Sequence, residues 1–375
     1  MSTSTPSMHS SRESVSALLG SHSSLSRHPR RNGLLLALGA AALAASAVVV
    51  RQKAQQAERD NPPLGQFIDV DDVTLHYVER GQGQPLVLLH GNGSMVEDFV
   101  TSGLLDLAAT RYRVIAFDRP GFGHSTRGSS STPKAQAEVL RKALQQLGVK
   151  QPIVVGHSWG TLVALTLALD HPAEVHSLVL LSGYYFPTVR LDVLLAAPPA
   201  IPVLGTLLRH TISPLIGRLM WPRMKKTLFG PAQVPPKFAE FPVWMALRPS
   251  QLRASAFESA LMVPSAIALR HRYPELTMPL VIMAGSGDRI ANALHQSGHL
   301  HEVLPHSDLR LVEGAGHMIH QLVPHKVMAA IDAAATALQK SAPLAQPESA
   351  GNANADAANM SFAPAQTHYG DARPA

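Results

Sequence analysis

Short, almost wholly apolar runs recur along the middle of the chain and alternate with longer stretches of helical character. This alternation constrains the fold more than any other feature. Phe67 to Val70 and Val73 to Val78 read as two strands around the acidic turn Asp71-Asp72, and Pro85 to Leu89 as a buried strand. Tyr112 to Phe117, Ile153 to Val155, Ser177 to Leu181, Leu280 to Ala284 and Leu309 to Val312 repeat that pattern. Helical stretches lie between them near 95–108, 133–147, 159–170, 290–303 and 323–339. Strands without a polar face must be covered on both sides, so the expected class is α/β: a mostly parallel central sheet with helices on both faces. The apolar share of 46% is ample for such a core. From about 184 to 274 the alternation stops, and a segment rich in Pro, Leu, Met and Trp is expected to form a helical cap over the sheet.

The two ends are different in kind. Residues 1–32 are Ser-rich and basic, residues 339–375 turn to Ala, Pro and Asn, and both are expected to be disordered. Gly33 to Val50 carries no charge and as a helix would span about 27 Å, close to the hydrocarbon thickness of a bilayer. Residues 51–64 read as a polar linker to a domain over 65–338. The 33–50 segment fits an uncleaved signal anchor best, with a cleaved signal peptide ending at Ala45-Ser46-Ala47 and a buried helix as alternatives. Arg27, Arg30 and Arg31 precede the segment and Arg51 and Lys53 follow it, so the positive-inside bias leans by a small excess toward a cytoplasmic N-terminus and a main domain on the extracytoplasmic side; cleavage would secrete it. With 32 Lys+Arg against 26 Asp+Glu the charge is +6, which favours anionic surfaces. No helix of clustered cations with interleaved aromatics suggests nucleic acid. The absence of Cys excludes disulfides, thiolate metal sites and a thiol nucleophile.

Gly156-His157-Ser158-Trp159-Gly160 follows the apolar run Pro152 to Val155 and precedes the helical run Thr161 to Asp170. A G-x-S-x-G turn between strand and helix strains the serine backbone and exposes its hydroxyl, and its outer positions need small residues. Four further loops follow a fixed order: His90-Gly91-Asn92-Gly93, Asp118-Arg119-Pro120-Gly121-Phe122-Gly123, Gly285-Ser286-Gly287-Asp288 and Gly314-Ala315-Gly316-His317. With these motifs the chain resembles the α/β-hydrolase family over about residues 65–338.

The resemblance implies a serine hydrolase in which Ser158 is the nucleophile, His317 in the last-strand loop its base and Asp288 the acid that orients the imidazole. It also implies an oxyanion hole made by the backbone N–H groups of Asn92 and Trp159. The lesser alternative for Asp288 is a helix cap, and His320 is expected to pack or line the pocket. The turn Asp118 to Gly123 is expected to be structural. No metal is expected: His295, His299 and His301 lack the intervening Glu of H-E-x-x-H and suit a surface helix. No cofactor is expected, since no dinucleotide or Walker loop is present.

Related dehalogenases and epoxide hydrolases use Asp where Ser158 stands, so acyl transfer to water is favoured, on a small-molecule carboxylic ester. The alternatives keep the triad for carbon–carbon hydrolysis, aminopeptidase or perhydrolase chemistry, or retain the fold as a non-catalytic membrane-held binding protein. An aminopeptidase would draw on Glu240 and Glu258 in the cap. The cap's apolar pairs, from Leu194-Leu195 to Leu261-Met262, interleave with Arg209, Arg218, Arg223, Lys225 and Lys226. They pack on the sheet, or they form a lipophilic acyl pocket beside a basic face resting on the membrane.

Overall fold

The computed structural model describes Ser2, residues 29–188 and residues 198–341. The termini expected to be disordered fall largely outside these residues, as does Leu194-Leu195 of the cap. The eight strands are β1 (Gln66–Val70), β2 (Val73–Arg80), β3 (Pro85–Leu89), β4 (Arg113–Phe117), β5 (Ile153–His157), β6 (Ser177–Leu181), β7 (Leu280–Gly285) and β8 (Asp308–Val312). They form one sheet in the order β1-β2-β4-β3-β5-β6-β7-β8. β2 pairs antiparallel with β1 and β4, while β3 to β8 run parallel.

Alternate side chains along each strand feed two cores, as the two-residue period requires. Val87, Ile115, Val154, Leu180 and Ile282 face one layer, packed against the helices α4 (Pro133–Gln146) and α5 (Gly160–Asp170). Leu88, Ala116, Val155, Val179 and Met283 face the other, under α2 (Glu97–Thr101), α3 (Leu104–Ala109) and the terminal helix Pro324–Ser341. The compact body extends to Ala335, and the described residues beyond it are the last turns of that helix. Gly160 to Leu169 are all buried, which explains why α5 is apolar all round. The chain leaves β3 to one side for β4, then returns to the other side for β5. Where neighbouring parallel strands feed loops in opposite directions a crevice opens beyond their carboxyl ends, and here it lies between the loops after β3 and β5.

The cap comprises α6 (Leu204–His210), α7 (Ser213–Phe229), α8 (Val243–Ala246) and α9 (Pro249–Leu269). The N-terminal helix α1 departs from expectation. It runs unbroken from Pro29 to Asp60, so residues 51–60 are helix, not linker. Leu43, Ser46, Ala47, Val50, Ala54 and Ala57 recede from solvent at helical spacing, and α1 packs against α6 and α8. Glu58 pairs with Arg248 at 2.9 Å, and the Asn61 carbonyl lies 3.1 Å from His124 Nε2. The polar composition of 51–60 is that of a helix covered by its own domain along one side only, at Ala54 and Ala57.

Candidate active site

The turn after β5 holds Ser158 at φ 52°, the left-handed region that a residue with a side chain enters only at a cost. Its backbone N–H donates to the Leu181 carbonyl at 2.9 Å, fixing the turn to β6. The flanking glycines are required by contact. A Cβ on Gly156 would lie 2.7 Å from the Gly160 carbonyl oxygen, and one on Gly160 would lie 2.4 Å from that of Leu89. The loop after β3 comes as close: a Cβ on Gly91 would stand 3.1 Å from Ser158 Cβ. Among the described residues the backbone N–H groups of Asn92 and Trp159 have no protein acceptor.

His317 follows β8 and is buried, with Nδ1 2.8 Å from Asp288 Oδ2. An ionised carboxylate only accepts, so Nδ1 carries the proton and Nε2 presents its lone pair. The other Asp288 oxygen accepts from the N–H groups of Ile290 and Ala291 at 2.7 and 2.9 Å. The carboxylate therefore both caps its own loop and holds His317; the two roles are not exclusive. Ser158, His317 and Asn92 line one cavity of about 280 Å³ under the cap. Its walls are mainly apolar, including Trp221, Met224, Leu228, Phe238, Leu247 and Met262. Trp159 lies beneath, its indole N–H donating to the Glu258 carbonyl at 3.0 Å.

His157, Asp98 and Gln321, to which the sequence reading assigned no role, fix these loops together with His320, which packs among them and does not line the cavity. His157 Nε2 lies 3.2 Å from the His317 carbonyl, tying the nucleophile turn to the histidine loop. Burial, then the nearby His320 and His317, hold the His157 imidazole well below its usual pKa, so it stays neutral. His320 packs against it at 4.4 Å between ring centroids, with Nε2 3.1 Å from Asp98 Oδ2 but out of line for a hydrogen bond. Burial opposes ionisation of Asp98, yet His320 and the hydrogen bond from Gln321 outweigh it and keep the carboxyl below its ordinary range. Asp98, His157 and His320 bring three donor atoms within 4.8 Å, the chemistry of a cation site. The Asp98 oxygens already accept from Ser94 at 3.0 Å and Gln321 at 2.7 Å, while His157 Nδ1 and both nitrogens of His320 have no hydrogen-bond partner among the described residues. His295, His299 and His301 do not converge: His299 stacks on Phe186, and His301 Nδ1 lies 2.8 Å from Ser307 Oγ.

The turn at Asp118 anchors the loop after β3. Asp118 accepts from the N–H groups of Val96 and His124 and pairs with His76 Nδ1 at 2.7 Å. The Arg119 backbone N–H donates to His90 Nε2 at 3.0 Å, and burial, then the Arg119 charge, push the His90 pKa down to about 3. The Arg119 guanidinium donates to the carbonyls of His90 and Gly91, to Gln136, and to both oxygens of Glu258. Glu258 is thereby committed to Arg119 and Glu240 is exposed, so neither offers the free cavity carboxylate that an aminopeptidase reading needed. Arg209, expected on a basic face, is instead buried, with Nη2 donating to Thr206 at 3.0 Å.

The alpha/beta hydrolase fold family pattern matches residues 84–322. The pimeloyl-[acyl-carrier protein] methyl ester esterase of Aeromonas hydrophila is 30% identical over 57% of this chain and 81% of its own length. The dihydrolipoyllysine-residue acetyltransferase component of the acetoin cleaving system of Cupriavidus necator is 37% identical over 34% of each chain. The chain thus spans only about a third of that relative. A membrane phospholipase A described as a bacterial virulence factor superposes with a TM-score of 0.57 at 22% identity, covering 82% of this chain and 99% of its own. The match spans the crevice, the glycine-bound turn of Ser158 and the loops that carry Asp288 and His317, and the chain belongs to the α/β-hydrolase family.

Proposed function

We propose that this chain is a membrane-held serine hydrolase that cleaves an uncharged, lipophilic carboxylic ester through an acyl-enzyme on Ser158. The observation that carries the reading is the meeting of Ser158, in its left-handed turn, with the Asp288-held His317 on one apolar cavity. His317 Nε2 takes the Ser158 proton as Oγ attacks the ester carbonyl, and Asp288 stabilises the imidazolium. The N–H groups of Asn92 and Trp159 receive the oxyanion, in a pocket whose mainly apolar walls strengthen both bonds. His317 returns the proton to the leaving alcohol, and a water repeats the cycle on the acyl-enzyme. No Lys or Arg lines the cavity among the described residues, which favours an uncharged acyl group over one bearing a carboxylate.

The apolar first half of α1 supports a membrane anchor, and the excess of Arg27, Arg30 and Arg31 before it favours a hydrolase domain on the outer side. Ala45-Ser46-Ala47 stands within unbroken helix and half-faces the domain, which favours an anchor over a cleaved leader. A fluorophosphonate probe on the full chain tests the chemistry. Labelling that is lost in Ser158→Ala, together with turnover of octanoyl over acetyl esters, is expected. A folded chain that stays unlabelled, or one that turns over diketones but no ester, overturns it.

A further inference from the structure

Among the described residues, most of the exposed large apolar side chains fall in two places. One is the first half of α1, from Leu34 to Val49. The other is the outer face of α6 and α7, where Val203 is 85% and Leu219 78% exposed, with Leu204, Leu207, Ile212, Leu215, Ile216 and Met220 also open. From Ile212, the residue before α7, exposed apolar positions follow at 212, 215, 216, 219 and 220, a stripe of helical period. Arg218, Arg223 and Lys226 stand exposed beside it, and no Asp or Glu occurs from residue 198 to 239. An apolar stripe rimmed by cations with no carboxylate is the make-up of a helix lying in a lipid head-group layer.

The depth of this face is set by α1. Val50, the last residue of the uncharged stretch, is only 2% exposed, and α1 packs against α6. A span of about 27 Å that begins at Gly33 therefore delivers the cap to the membrane surface. The opposite face of α7 meets the cavity: Gly217, Trp221, Met224 and Leu228 line it, and Met224 is also exposed. One helix thus separates the bilayer side from the pocket.

We propose that the outer face of α6 and α7 seats this hydrolase in the head-group region of an anionic bilayer. The substrate is a membrane-resident ester whose acyl chain passes Met224 from the lipid layer into the cavity. This rests on the ester-hydrolase reading for its chemistry, but the seating itself does not.

The chain contains no cysteine, so single labels are clean. The full chain carrying Leu219→Cys is labelled with a nitroxide and reconstituted in vesicles of phosphatidylcholine and phosphatidylglycerol, beside a control at the exposed Gln145→Cys on α4. The label at 219 is expected to be open to dissolved oxygen and shielded from an aqueous nickel chelate, and the label at 145 the reverse. Equal chelate access at both sites overturns the seating. The double variant Ile216→Asp, Leu219→Asp is then compared on a vesicle-embedded umbelliferyl oleate and on a soluble butyrate ester. A fall of about ten-fold on the first with the second unchanged is expected. Equal rates on both substrates overturn the route. Loss of both marks a damaged fold and leaves the decision to the label. Failure of every ester with the label still buried refutes the esterase reading and keeps the surface.

Discussion

Glu97 gives the domain a pH dependence that can be worked out from its surroundings. It opens α2, is 7% exposed, and its Oε2 has no hydrogen-bond partner. Burial, then the neighbouring Asp118 charge, push its pKa from 4.5 up to about 7. A carboxyl whose folded pKa exceeds its unfolded value binds its proton more tightly when folded. The stabilisation is therefore complete below the unfolded pKa and is lost as pH rises through the folded one. A shift from 4.5 to about 7 corresponds to about 3 kcal/mol between acidic and mildly alkaline solution. Glu97→Gln keeps the shape without the titration, so wild type and variant should have similar stability near about pH 4 and diverge by up to about 3 kcal/mol at about pH 8, with the variant the more stable. For a domain of this size that is a difference of about 6–12 °C in Tm, readable by scanning fluorimetry of the full chain in detergent. Parallel pH profiles for the two proteins would refute the reasoning, since no other change distinguishes them.

Asp288→Asn should leave folding intact and lower kcat by about 10⁴, because an amide no longer fixes the His317 tautomer; a pH–rate profile and circular dichroism check both parts. Gly91→Ala sets a methyl 3.1 Å from Ser158 Cβ and displaces the Asn92 N–H, so kcat should fall about 10²-fold with KM little changed. Glu258→Ala strands the Arg119 charge in the interior and should cost about 3–5 kcal/mol in denaturant unfolding. Arg119→Met with Glu258→Met should recover much of that loss.

The sheet was legible because each buried strand advertises itself locally, as Ile153 to Val155 and Ser177 to Leu181 do by carrying almost no polar side chain. The candidate residues Ser158, Asp288 and His317 stand out in the sequence for a related reason, since each sits in a short glycine-bearing loop directly after a strand. The supporting pairs have no such signature. Arg119 and Glu258 stand 139 residues apart and Gln321 and Asp98 stand 223 apart, and nothing local distinguishes these side chains from surface ones. Residues 51–60 misled for the opposite reason. Charged residues dominate three sides of that helix, and only the spacing of Val50, Ala54 and Ala57 marks the side the domain covers.

Those long-range pairs decide how substrate can reach Ser158. The His317 N–H donates to Leu228 at 2.8 Å, and a Cβ on Gly316 would stand 2.5 Å from the Phe229 carbonyl oxygen, so the end of α7 is clamped to the histidine loop. On the other side of the cavity Asn92 Nδ2 donates to Ser255 and Ser259, Gln251 bridges Gly123 and Ser94, and Glu258 is paired with the buried Arg119. Swinging the cap as a lid would break the Arg119 pair in the interior, at a cost of several kcal/mol per uncovered charge. Helix α7 is different before that clamp: from Gly217 to Met224 its cavity side is the half-buried Gly217 and Trp221, whose side chains make no hydrogen bond or ion pair among the described residues. Side-chain rearrangement at Met224 and Met220 involves flexible thioethers and no buried ion. On the proposed function, entry past α7, on the face that carries the exposed apolar stripe, is therefore the low-cost path.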